Sequence, residues 1–530
     1  MDARVEIRSN IDPYRKLALI LAFLSGASVA HAGIHEVAVT GGLIEGVEEQ
    51  GITAFKGIPF AAPPVGRLRW RPPQPVVSWH GTRKTGAFAQ ECAQNGGGPA
   101  GSSEDCLYLN VWTGAASGKE RRPVMVWIPG GGFNENGPAI PVNDGTRFAH
   151  AGVVLVSIAY RLGPFGFLAH PDLGSGNYGI EDQIAALKWV KVNIDHFGGD
   201  PNRVTIFGAS AGAMSVSLLL VSPAARGLFD RAIAESGAMF QPVHHTGHEP
   251  FLSLRSRELA ETEGGTFFQK LGLTSVDAAR AMPTNRLLAA SKNTHEFWPV
   301  LDGDLLPGDA YSLYEAGRFI DVPILVGSNS DDGAESVLPG ITATAWVAGI
   351  GGNMGPEAEA VLAAYPHSAD ADARRADAEI SRDGEFGWAA WTWAKLHSRT
   401  SKKHAYLYYF DARPAESTTS EGAAHGAELA YLFGTFGKIG DTSGVGGHPH
   451  HQDLELATIM RRYWTNFAAR GDPNEPGLPL WPPFSKGNER VLTFDSAPSV
   501  RPVPNLDKLE VLDRYFSWRR QRDEARSVTK

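Results

Sequence analysis

The tightest constraint on this chain is a recurrence of short, unbroken apolar runs, too apolar for a surface strand and too short for a helix. Val124-Met125-Val126-Trp127-Ile128 and Val153-Val154-Leu155-Val156-Ser157-Ile158 come first. Val204-Thr205-Ile206-Phe207, Ala232-Ile233-Ala234, Pro323-Ile324-Leu325-Val326 and Tyr406-Leu407-Tyr408-Tyr409-Phe410 follow. Strands that are apolar on both faces must be covered on both faces, which is the situation of a parallel sheet. Between the runs lie segments with helical spacing. In Glu181–Ile194 the residues Ile184, Leu187, Trp189, Val190 and Ile194 fall mostly on one face, and Ala213–Val221 also has a helical look. The alternation predicts an α/β protein with a mostly parallel central sheet, helices on both faces, and helical insertions near 250–320 and 337–400. No repeat or low-complexity linker divides residues 33–530, which are read as one domain.

Residues 1–32 are read apart from the fold. Arg4, Arg8, Arg15 and Lys16 precede the apolar stretch Leu17–Phe23, and the segment ends Ala30-His31-Ala32. This order describes a cleavable secretory signal with cleavage after Ala32, and hence a secreted or periplasmic protein. The apolar stretch falls short of the ~20 residues of a spanning helix, and no later run reaches that length, so no membrane span is expected in the mature chain. Cys92 and Cys106, the only two cysteines, flank a polar, Gly-rich loop. In an oxidising compartment they are expected to form a disulfide, with a contribution of roughly 3 kcal/mol. A single pair at that separation lacks zinc-ligand spacing. The net charge of −9 argues against a nucleic-acid partner, whose phosphates need a basic surface.

The strand ending at Phe207 runs into Gly208-Ala209-Ser210-Ala211-Gly212, a G-x-S-x-G pentapeptide. With 60 glycines in the chain such a match can arise by accident, so its surroundings must decide. A β-branched strand precedes it and a small-residue helix start follows. Glycines are needed where strand and helix pass closely, and the helix start aims N–H groups at the serine. A serine hydroxyl then requires a base, a carboxylate to orient that base, and donors for an oxyanion. Gly130-Gly131-Gly132, just past the run Val124–Ile128, could present such donors.

Several ordered motifs together carry a resemblance. VMVWIPGGGF, SEDCLYLNVW, FKGIPFAAPPVGRLRW, the run from GNYGIEDQ to GASAGA, GAAHGAELAYLFG and LPLWPPF are similar to the type-B carboxylesterase/lipase family, which is built on the α/β-hydrolase fold. The resemblance implies Ser210 as nucleophile, His425 as general base, and an oxyanion hole from the backbone amides of Gly131, Gly132 and Ala211. It implies Asp332 as triad acid, at a position where most relatives have glutamate, with Asp331 and Glu335 as nearby competitors. Ser236 resembles a serine that hydrogen-bonds the acid, and Cys92 and Cys106 resemble the family's first disulfide. The small-molecule substrate implied is a carboxylic ester, and the serine chemistry needs no metal or other cofactor.

Departures from the family narrow the substrate. Pro129 replaces a frequent histidine, without removing an oxyanion donor. Ala209 stands where relatives usually carry glutamate, and the Cys92–Cys106 loop is too short to supply a choline-binding tryptophan or a lid. Choline esters and interfacial lipase activity are therefore disfavoured. A specialised esterase acting on polycarboxylic esters is the alternative, and such a substrate would favour a basic pocket. A non-catalytic binding protein with this fold is the rival from another class. The histidines of His448-Pro449-His450-His451 and of His244-His245 with His248 are read as loop residues. Phe297, Trp298, Phe386, Trp388 and Trp391 could serve either pocket or core.

Overall fold

The computed structural model describes residues 33–96, 101–292, 297–413 and 422–528; the leader expected at 1–32 lies outside the described residues. A central sheet is built from β1 (Val47–Glu49), β2 (Ile52–Pro59), β3 (Tyr108–Thr113), β4 (Arg122–Ile128), β5 (Val154–Ile158), β6 (Gly199–Ala209), β7 (Arg231–Glu235), β8 (Ile324–Asn329), β9 (Ala405–Phe410), β10 (Arg490–Phe494) and β11 (Ser499–Pro502). Their spatial order is β11-β10-β9-β8-β7-β6-β4-β5-β3-β2-β1. The block from β10 through β5 is parallel throughout. Antiparallel pairing is confined to the flanks, where β11 meets β10 and where β1, β2, β3 and β5 pair in turn.

Every apolar run read as a strand lies in the parallel block. Their side chains alternate between two cores. Val124, Val126 and Ile128 of β4 face one layer, and Met125 and Trp127 face the other. The first layer is covered by α1 (Tyr178–Asn193), α2 (Ala211–Val221), α3 (Trp388–Thr400) and α6 (Leu506–Val528). The second is covered by α4 (Ala427–Phe433) and α5 (His451–Arg470), through Leu432, Met460, Trp464 and Phe467 among others. Burial on both faces is what makes these strands continuously apolar. The helix α1 begins three residues before the expected start, with Ile194 displaced into a short 3-10 turn that Gly198 closes at φ 80°.

The order of the strands determines where chemistry can sit. The chain passes from β4 to β5 on one flank, then returns to place β6 on the other flank of β4. The loops leaving β4 and β6 therefore emerge side by side at the carboxyl ends of the strands. That reversal is where open α/β sheets form their ligand crevices. Ser236 and Asp332 follow β7 and β8, the next strands along.

Cys92 and Cys106 are joined by a disulfide, S–S 2.04 Å. The segment it anchors supports the loop after β4. Gln94 Nε2 donates to the Asn136 carbonyl at 3.1 Å, and the Asn136 amide returns a bond to Gln94 Oε1 at 2.9 Å.

Candidate active site

Ser210 sits between β6 and α2 with φ 56° and ψ −126°. A left-handed backbone is strained for a residue with a Cβ, at a cost of order 1–3 kcal/mol. The surroundings hold it there. The Ser210 amide donates to the Glu235 carbonyl at 2.9 Å, and the Ser210 carbonyl accepts from the Met214 amide at 2.9 Å. Close approach explains both flanking glycines: a Cβ at Gly208 or Gly212 would lie 2.6 or 2.0 Å from the Ile128 carbonyl oxygen. The turn is thus pressed against the end of β4, with the Ser210 side chain lining the cavity beyond it.

The loop after β4 supplies the neighbouring wall. Gly131 and Gly132 have φ values of 111° and 57°, and the Gly131 carbonyl accepts from the amides of Asn134 and Glu135 at 3.0 and 3.1 Å. With its carbonyls turned into the loop, no described residue accepts from the amides of Gly131, Gly132 or Ala211. Pro129 offers no amide, but its carbonyl accepts from buried Tyr160 at 2.9 Å and fixes the loop's base. Gly131→Ala would place a Cβ 2.1 Å from the Glu135 carbonyl oxygen. The loop would have to move, and a loss in kcat of about 10²–10³ is expected, the worth of one oxyanion donor. Steady-state kinetics beside an unfolding curve checks this.

His425 lies in the turn before α4 and lines the same cavity as Ser210. Its Nδ1–H donates to Asp332 Oδ1 at 2.8 Å, which leaves Nε2 as the proton acceptor. The second carboxylate oxygen of Asp332 accepts from Ser236 Oγ at 2.9 Å and from the Asn329 amide at 2.6 Å. Asp332 is thus the carboxylate that meets His425. Glu335 lies exposed at the cavity wall, and the Asp331 amide is engaged with the Ala423 carbonyl at 2.9 Å. The shorter side chain still reaches.

Burial opposes a charged His425, but the hydrogen bond and charge of Asp332, with Glu428 and Glu335 behind them, hold its pKa above the ordinary value. Asn329 ties the acid to the histidine loop, since its Nδ2 donates to the Ala424 carbonyl at 2.8 Å and to Glu428 Oε2 at 2.5 Å. Burial, followed by repulsion from Asp332, pushes Glu428 up to about 7. Neither Asn329 nor Glu428 was singled out from the sequence. Glu428 stands in the quoted motif GAAHGAELAYLFG, three residues after His425, and that spacing was the available signal.

The cavity bounded by these residues measures about 1050 Å³. Of the aromatics left open between pocket and core, Trp298 lines it and Phe386 packs on the His425 ring at 4.7 Å. Phe297, Trp388 and Trp391 are core, packed on Phe267, on Phe516 and beneath Lys395. No group of histidine, cysteine and carboxylate side chains suited to a metal occurs among the described residues. No helix among them is long and apolar enough to cross a membrane.

The sequence matches the family described as the Carboxylesterase family over residues 34–345 and 356–511. It is 37% identical over 473 residues to the fumonisin B1 esterase of Sphingopyxis macrogoltabida, covering 86% of this chain and 85% of that protein. It is 32% identical over 508 residues to the para-nitrobenzyl esterase of Bacillus subtilis (strain 168), covering 90% and 98% respectively. Among solved structures, a PNB esterase superposes with a TM-score of 0.79 at 31% identity, over 90% of this chain and 99% of that one.

Proposed function

We propose that this chain, which belongs to the carboxylesterase family and is a carboxylic-ester hydrolase, acts through an acyl-enzyme on Ser210. The single observation that carries the reading is the contact between His425 Nδ1 and Asp332 Oδ1 beside the strained Ser210 turn. Ser210 attacks the ester carbonyl while His425 takes its proton, and Asp332 fixes the imidazole tautomer and balances its charge. The amides of Gly131, Gly132 and Ala211 receive the oxyanion. His425 then protonates the leaving alcohol and activates water for deacylation. The leader at 1–32 and the disulfide support placing the mature enzyme in the periplasm or outside the cell.

A second reading, hydrolysis of polycarboxylic esters, takes its support from the identity with fumonisin B1 esterase. Against it stands the cavity wall, where no lysine or arginine occurs among the described residues to receive carboxylates. Hydrolysis of p-nitrophenyl esters from acetate to palmitate, with fumonisin B1 beside them and fluorophosphonate labelling of the same samples, separates the readings. Turnover of the short esters with labelling is expected. Labelled protein active only on fumonisin B1 would select the second reading, and protein that neither labels nor turns over would overturn the Ser210 mechanism.

A further inference from the structure

Residues that take no part in ester cleavage grip the loop carrying Gly131 and Gly132. Within that loop Phe133 and Asn136 have left-handed backbones, φ 60° and 71°, which a residue with a Cβ keeps only where its surroundings impose it. Packing imposes it on Phe133, whose ring lies 5.1 Å from that of Phe167 and 5.3 Å from that of Trp298. Asn136 is held instead by one side chain. Gln94 Nε2 donates to the Asn136 carbonyl at 3.1 Å, and Gln94 Oε1 accepts from the Asn136 amide at 2.9 Å. The same nitrogen donates to the Cys92 carbonyl at 3.0 Å, so the carboxamide is tied back to the disulfide that roots it. On the other side of Cys92, Glu91 Oε1 accepts from the Ala139 amide at 3.2 Å.

This grip reaches the oxyanion donors through direct contact. A Cβ on Gly131 would meet the Glu135 carbonyl oxygen at 2.1 Å and Asn136 Nδ2 at 2.9 Å, so Gly131 packs on the segment that Gln94 holds. The Gly131 carbonyl accepts from the amides of Asn134 and Glu135, which closes the turn between the donors and Asn136. Oxyanion donors act through preorganised position, and a misplacement of about 1 Å can cost about 10² in rate.

We propose that Gln94 is a positioning residue of the oxyanion hole, holding Asn136 so that Gly131 and Gly132 present their amides where the tetrahedral oxygen forms. The proposal rests on the esterase reading of the same site. A carboxamide suits the task because it donates and accepts from one plane. Glutamate would keep the shape but turn a carboxylate oxygen towards the carbonyls of Cys92 and Asn136. Methionine would keep the bulk and offer no strong donor or acceptor.

Gln94→Met and Gln94→Glu, shown to be folded by denaturant unfolding, are compared with the wild type on p-nitrophenyl acetate. The same proteins are inhibited with an aryl trifluoromethyl ketone and the matching methyl ketone. The fluorinated carbonyl carbon bonds to Ser210 Oγ, whose proton passes to His425, and the carbonyl oxygen becomes the oxyanion; the methyl ketone binds without addition. In both variants kcat/KM is expected to fall about 10- to 100-fold, with the Ki of the trifluoromethyl ketone rising by the same factor and that of the methyl ketone unchanged. A role in stability alone would move the unfolding midpoint and not this split. Unchanged kcat/KM in a folded variant, or equal weakening of both ketones, would overturn the proposal. Gln94→Asn, one methylene too short to pair with Asn136, should show the same split and keeps the test decisive if the other two do not fold. Wild-type protein that neither turns over the reporter nor reacts with a fluorophosphonate would fail the esterase reading itself, before any variant is compared.

Discussion

Ser210→Ala is expected to lower kcat by about 10⁴–10⁶ while leaving the fold intact, on the scale of triad knock-outs in other serine hydrolases. The effect is large because the other members act only through the serine oxygen. His425 has no proton to accept without it, and the oxyanion amides have no tetrahedral intermediate to hold. The fold should survive because its hold on residue 210 is made by the backbone. The amide bond to Glu235 and the carbonyl bond from Met214 are untouched by the substitution, and alanine carries the same Cβ into the same φ of 56°. A stability change of about 1 kcal/mol or less is expected, measured by denaturant unfolding beside the kinetics. Fluorophosphonate labelling should vanish in parallel. A purified, folded Ser210→Ala retaining most of its activity would remove Ser210 from the mechanism.

What the sequence could convey depended on how local each feature is. The Ser210 turn is local: strand, glycines and helix start lie within a dozen residues, and each glycine answers to a nearby backbone atom. The parallel block was legible for a related reason, since burial on both faces is written into consecutive residues. The flanking strands were not. In β3, Asn110 interrupts the apolar run, and only the fold shows it satisfied, donating to Ser157 Oγ at 3.0 Å and accepting from the Gly57 amide at 2.9 Å. His425 became visible through ordered family motifs rather than through its own neighbours. Asp332, too, was read from the family motif in preference to Asp331 and Glu335, whereas the contacts that hold it, from Ser236, 96 residues away in sequence, and from the Asn329 amide, are seen only in the fold.

Asp332 carries the second large prediction. Asp332→Asn is expected to lower kcat by about 10⁴, because an amide neither holds the imidazole in the right tautomer nor offsets its charge. Geometry would survive the change, since Ser236 and the Asn329 amide can still bond the side-chain oxygen that replaces Oδ2. The pH dependence gives an independent readout. His425 must be neutral to accept the serine proton, so kcat/KM falls as pH drops through its pKa. In the wild type that limb is expected above 6.5, the ordinary imidazole value, because burial, which opposes the charged form, is outweighed by Asp332 together with Glu428 and Glu335. Removing the Asp332 charge takes away the leading stabiliser of the imidazolium, so the residual activity of Asp332→Asn should show its limb at lower pH. Asp332→Glu keeps the charge but adds a methylene where two donors already hold Oδ2 at 2.9 and 2.6 Å. It should retain more activity than the asparagine and leave the limb above that of Asp332→Asn. If Asp332→Asn kept near-normal kcat with an unmoved limb, His425 would have to draw its charge from another carboxylate on the same wall, and Glu335 and Glu385 would be the residues to replace next.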